Sequence, residues 1–179
     1  MRTRRTALRP LLLALAGAAA GFALTHPRPA EAVWHQRAAS SCIQDSGSTS
    51  MGQGEITNDS LTTRMALRCP IVDGDGATSD DTLLKENVSR VDVYYDDHNN
   101  DAFNGSVVAK ACVSYVAGGG ACGSGDSSGT SSIGPGALNP PTNLIWTSGT
   151  ADDFGYLYVE LPQIKSDGPS TLRGYYITT

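Results

Sequence analysis

Apolar side chains recur at every second position in a series of short runs, and no stretch carries them in a convincing helical stripe. In residues 64–69, Met65, Leu67 and Cys69 share one face. In 88–95 it is Val91, Val93 and Tyr95. The longest run, 106–116, aligns Val107, Ala109, Ala111, Val113 and Tyr115. Residues 143–147 hold Leu144 and Trp146. Residues 156–161 set Leu157, Val159 and Leu161 against Tyr158 and Glu160, and 173–178 form a last run rich in Tyr and Ile. Successive side chains of a strand point to opposite faces, so this rhythm specifies strands with one buried side.

Clusters of Gly, Ser, Asp and Asn separate the runs. About seven short strands with such turns predict an all-β chain. The expected form is an antiparallel β-sandwich, jelly-roll or Ig-like, with long Gly/Ser/Asp loops; a small closed barrel is the alternative. One short helix is expected over 79–88, where Ser79 can cap and Asp80 and Asp81 suit a helix N-terminus. Residues 118–136 are almost pure Gly and Ser, a composition that predicts an exposed, mobile loop.

The first 32 residues read as an address. Arg2, Arg4, Arg5 and Arg9 precede an apolar run over 11–24, and Ala30-Glu31-Ala32 supplies a small-x-small end. This is the anatomy of a secretory signal peptide, with cleavage expected after Ala32. The apolar run is shorter than the ~20 residues a membrane-spanning helix needs, so no span is expected after cleavage. Thr3-Arg4-Arg5 also resembles a twin-arginine signal, although Ala7 stands where Phe is usual. The protein is therefore expected to be secreted or periplasmic, by Sec or twin-arginine export. The predicted organisation is a signal peptide at 1–32, a flexible leader at 33–41 and one β-sandwich domain at 42–179.

Loss of the signal removes five arginines and Glu31, and takes the formal charge from −5 to −9. A chain this acidic lacks the basic patch that nucleic-acid binding needs. All four cysteines, Cys42, Cys69, Cys112 and Cys122, lie beyond the signal. An even count in a small exported domain reads as two disulfides. Of three connectivities, Cys42–Cys69 with Cys112–Cys122 joins nearest neighbours and is favoured. The spacings do not give the close Cys/His pairs of a zinc site.

The order of several motifs resembles that in small exported bacterial proteins of unassigned function. The matching pieces are Cys42, Leu67-Arg68-Cys69-Pro70, Val91-Asp92-Val93-Tyr94-Tyr95-Asp96, Ala111-Cys112-Val113-Ser114 and Tyr156-Leu157-Tyr158-Val159-Glu160-Leu161-Pro162. The chain departs from that pattern at Val159, where a cysteine is expected, and Cys122 takes over as the partner of Cys112. The resemblance implies a secreted β-sandwich and brings no catalytic residues.

Two acidic segments have oxygen ligands at calcium-like spacing. One is Asp97, Asn99 and Asp101; the other is Asp73-Gly74-Asp75-Gly76 with Asp80 and Asp81. Neither completes an EF-hand. Tyr94, Tyr156 and Tyr158, with Tyr175 and Trp146, are candidates for an aromatic face that stacks on sugar rings. Catalysis has little to rest on. His98 sits in an Asp/Asn stretch, His35 in the leader, and no G-x-S-x-G occurs. The expected protein is an exported, non-enzymatic β-sandwich with a structural, surface or interaction role, its partner a glycan or a surface protein. A calcium-assisted carbohydrate-binding module and a small secreted hydrolase are the alternatives.

Overall fold

The period-two runs become strands in the computed structural model, which describes residues 34–71, 88–98, 105–115, 117–129, 133–142, 145–146, 154–165 and 167–179. In chain order the strands are β1 (Trp34–Ala38), β2 (Ile43–Ser46), β3 (Thr49–Gly52), β4 (Glu55–Asn58), β5 (Met65–Pro70), β6 (Arg90–Asp97), β7 (Val108–Ser114), β8 (Gly120–Cys122), β9 (Asp126–Ser127), β10 (Gly134–Leu138), β11 (Phe154–Leu161) and β12 (Thr171–Thr178). A 3-10 turn, Ala39–Ser41, follows β1. All described residues belong to one compact unit, Ala32–Thr179. No helix among them is long and apolar enough to cross a membrane.

The strands form two antiparallel six-stranded sheets packed face to face. The first runs β10-β6-β12-β4-β3, with β1 also on β12; the second runs β2-β5-β11-β7-β8, with β9 also on β7. The residues expected inward on β5, β6, β7 and β11 help fill the space between, joined by β12, whose Tyr175 is a core residue and not the sugar-stacking aromatic expected. Met65, Leu67 and Cys69 of β5, Val91, Val93 and Tyr95 of β6, Ala109 and Ala111 of β7, Leu157, Val159 and Leu161 of β11, and Leu172, Tyr175 and Ile177 of β12 join one core. Full burial of a Leu, Ile or Val side chain stabilises by about 1.5–3 kcal/mol, so the two inner faces hold the sandwich together.

Polar groups tie the sheets as well. Tyr175 is 1% exposed, and its hydroxyl crosses from β12 to donate to the Pro70 carbonyl of β5. Buried Asn58 donates to the Leu161 and Pro162 carbonyls at 3.2 and 2.8 Å, linking β4 to the end of β11. The disulfides are Cys42–Cys69 and Cys112–Cys122. The first fixes the start of β2 to β5. The second joins directly opposed residues of β7 and β8. Cys112 points outward on β7, opposite Tyr156, while Val159 points into the core. The side chain at 159 therefore faces away from Cys112.

Four expectations are corrected. The segment read as a flexible leader contains β1, paired along its whole length with β12 from Trp34↔Thr178 to Ala38↔Gly174, and buried Ala39. Its short, mixed sequence hides the strand, because the pairing partner lies at the far end of the chain. The Gly/Ser segment 118–136 is not a continuous loop. It supplies β8, β9 and the first residues of β10, since backbone pairing needs no apolar side chain. Its Ser128 is buried. Tyr115, expected inward, lies past the end of β7 and is 37% exposed. Trp146 is buried but not in a strand. Its backbone N–H donates to the Thr142 carbonyl, and its indole N–H donates to the Cys112 carbonyl at 2.8 Å. The predicted signal segment, residues 79–87 of the predicted helix and the Asp73–Asp81 acids lie outside the described residues.

Candidate functional site

Asp97 ends β6 with its side chain fully buried. Ser170 Oγ donates to its Oδ1 at 2.9 Å. Its Oδ2 accepts from Ser128 Oγ and from the Val107 backbone N–H at 3.3 Å. The carboxylate thus stitches together the approach to β7, the segment after β9 and the start of β12. Asn99 and Asp101, the other residues of this calcium candidate, lie outside the described residues. Among the described residues no group of three His, Cys, Asp or Glu could hold a metal ion.

The three tyrosines expected on one face are divided. Tyr156 and Tyr158 lie on the outer face of the second sheet, opposite Cys112 and Lys110 of β7. Tyr94 lies between buried Val93 and Tyr95, and so points outward from the first sheet. Alternation along each strand is legible in sequence; which strands share a sheet is not. The face around Tyr156 is crowded by charge. The Arg68 guanidinium sits 5.8 Å from the Tyr156 ring centroid and is held by Asp45 at 2.9 Å. Glu160, beside Tyr158, pairs with Arg64 at 3.2 Å. Burial, then a hydrogen bond to Glu160, raises the pKa of the Tyr158 phenol.

Tyr94 instead meets Tyr176, a residue that the sequence reading did not single out. Their ring centroids are 5.2 Å apart and the planes meet at 72°. The pair lies in an open groove of ≈ 680 Å³ on the outer face of the first sheet. Each wall of the groove has a local cause. Gln36 of β1 lies opposite Tyr176, and Ala38 lies opposite Gly174. Neither Ala38 nor Gly174 fills the floor. A Cβ on Gly174 would lie 2.4 Å from the Arg37 carbonyl oxygen, so the close pairing of β1 with β12 requires glycine there. The tip of the β3–β4 hairpin forms another wall. Gln53 and Gly54 have φ of 52° and 86°, the two positive values of a tight primed turn. Gly54 accepts a backbone hydrogen bond from Ser40 at 3.0 Å, which pins the tip beside β1. A non-glycine residue with positive φ is strained by about 1–2 kcal/mol, and the strained Gln53 borders the groove.

Arg173 completes the site. The register of β12 against β6 shifts between Leu172 and Gly174, leaving Arg173 as an extra residue. Such a bulge re-aims a side chain. Arg173 Nη2 lies 2.7 Å from Asp96 Oδ2, and its Nε lies 3.8 Å from Glu55 Oε1. The other oxygen of Asp96 is buried, makes no hydrogen bond and faces His98 Nε2 at 3.4 Å. With Tyr175 turned into the core, the groove thus offers the phenol rings of Tyr94 and Tyr176, two primary amides and guanidinium N–H donors. Among the described residues, no carboxylate, thiol, imidazole or aliphatic hydroxyl is a lining side chain. Ser170, the serine whose hydroxyl accepts from the backbone N–H of His98, is fully buried.

No protein-family model and no curated protein sequence matches the chain. Solved structures similar to it include the following three. A family two carbohydrate esterase from Cellvibrio japonicus matches with TM-score 0.41 and 12% identity, over 83% of this chain and 33% of the esterase. The chain therefore spans about a third of that enzyme's length. A family 11 carbohydrate-binding module of a Clostridium thermocellum cellulosomal cellulase matches with TM-score 0.35 and 11% identity, over 80% of this chain and 86% of the module. A family 11 module from the same organism, in complex with a β-1,3-1,4-mixed-linked tetrasaccharide, gives 0.36 and 10%, over 84% and 89%.

Proposed function

We propose that the protein is a non-catalytic glycan-binding domain that works outside the cytoplasm, and that the groove over β1, β6 and β12 is its binding site. One observation carries this reading: Tyr94 and Tyr176 stand 5.2 Å apart in a groove whose other polar side chains are planar amides and guanidinium groups. Sugar rings present C–H faces that pack on aromatic rings, and edges of hydroxyls that hydrogen-bond to such groups. Binding sites combine apolar walls with a few placed polar groups in this way. The two disulfides are compatible with an oxidising compartment.

The test is calorimetric titration with a panel of soluble oligosaccharides, with the sugar analysed for cleavage afterwards. The expected result is binding of at least one sugar without hydrolysis. Tyr94→Ala and Tyr176→Ala should each lower affinity about tenfold, or 1.4 kcal/mol, with little change in melting temperature, because both rings lie on the outer face. A panel without a binder, or variants that bind as the parent does, would sink the proposal.

A further inference from the structure

The groove carries two arginines, and the charge of one of them, Arg173, is already answered. Arg173 is held by Asp96 at 2.7 Å and flanked by Glu55 at 3.8 Å. Both carboxylates stand beside the groove and are absent from its lining. Arg37, the other arginine of the lining, is itself engaged in an interaction. The remaining polar side chains, Gln36 and Gln53, are uncharged. Around them lies a chain with formal charge −5, which repels anionic polymers at long range.

From this arrangement we infer that Asp96 and Glu55 are specificity-determining residues, and that they tune the groove to uncharged sugars over uronic acids. The inference rests on the glycan-binding reading above. An unpaired guanidinium would fork onto the carboxylate of a uronate and favour it. A guanidinium already bridged to Asp96 keeps its remaining N–H groups for hydroxyl oxygens, and the ion pair as a unit has no net charge to reward an acid. The bulge aims Arg173, and the two carboxylates decide what its aim selects. Asp96 does so from β6 with its side chain 17% exposed, and Glu55 from the start of β4 with its side chain 47% exposed.

The experiment compares neutral gluco-oligosaccharides with oligogalacturonates of equal length by calorimetry at pH 8, in low and in high salt. The parent protein should bind the neutral sugar at least about tenfold more tightly, with little dependence on salt. Glu55→Gln, which removes one exposed ion-pair partner, should raise relative uronate affinity about two- to fivefold. Asp96→Asn should raise it further and make uronate binding salt-dependent. A merely structural role for either acid would lower binding of both sugars together and leave their ratio unchanged. If Asp96→Asn fails to fold, Glu55→Gln alone decides, since its carboxylate is exposed. Uronate bound as tightly as neutral sugar by the parent, or a ratio unmoved by Glu55→Gln, overturns the inference. Binding of neither sugar overturns the inference, whereas the glycan-binding reading itself falls only if the whole oligosaccharide panel yields no binder.

Discussion

Asp97 shows how much one side chain organises. Its buried carboxylate accepts from two serine hydroxyls and a backbone N–H drawn from three separate segments. Hydrogen bonds to a charged group contribute about 1.5–3 kcal/mol each, and a buried donor left alone costs about 1–3 kcal/mol. Asp97→Ala should therefore lower unfolding free energy by about 3 kcal/mol, read from chemical denaturation. A loss below ~1 kcal/mol would mean that Ser128 and Ser170 find other acceptors. The acid itself stands out in the sequence, but its partners, 31 and 73 positions away, do not. From spacing alone Asp97 resembles a cation ligand in a surface loop. Only the ends of β9 and β12, brought over it, make it a structural anchor.

At the level of elements, β1 is the strand to watch. Between Trp34 and Ala38 it holds His35, Gln36 and Arg37, so no apolar period marks it. It exists because β12 offers an edge with Gly174 at the point of closest approach. Gly174→Ala would force a Cβ against the Arg37 carbonyl, at φ +154°. Overpacking of this kind costs about 1–3 kcal/mol. The substitution should loosen β1 first, seen as faster amide exchange in residues 34–38 and loss of groove binding ahead of global unfolding. Exchange unchanged in β1 would refute the role given to this glycine. The long strands β5, β6, β7, β11 and β12 were readable because each buries a face of alternating apolar residues. The paired Gly/Ser strands β8 and β9 were not, since they contribute backbone and little else. For the same reason half of the candidate site escaped the sequence. Tyr94 was visible as an aromatic in a strand, whereas Tyr176, Gln53 and Arg173 acquire meaning only through the pairing of β12 with β6 and β1.

For the whole molecule, the two sheets are joined by apolar packing and by a few polar crossings, and Tyr175 is the crossing that titrates. Burial raises the pKa of its phenol above the ordinary value of 10, against smaller opposing effects of Ser41 and Arg37. The folded state thus holds the phenolic proton more tightly than the unfolded chain does. The stabilisation is fully present below pH 10 and is lost as pH climbs through the raised folded value. Tyr95 and Tyr158 are shifted in the same direction. Melting temperature should therefore fall progressively above pH 10, and Tyr175→Phe, less stable by about 1 kcal/mol at neutral pH, should fall less steeply. Parallel curves for parent and variant would show that the alkaline loss lies elsewhere.

The pairing of Trp34 with Thr178 has a mechanical meaning. Strands β1 and β12 run antiparallel, so the outer ends of both emerge on one side of the first sheet. Tension applied between those ends peels the ladder open one rung at a time, instead of loading every rung in shear. Peeling removes Gln36 and Ala38 from beside Tyr176 and Gly174 while the packed faces behind them are still intact. A ligand seated in the groove would be released at low force, before the sandwich itself yields.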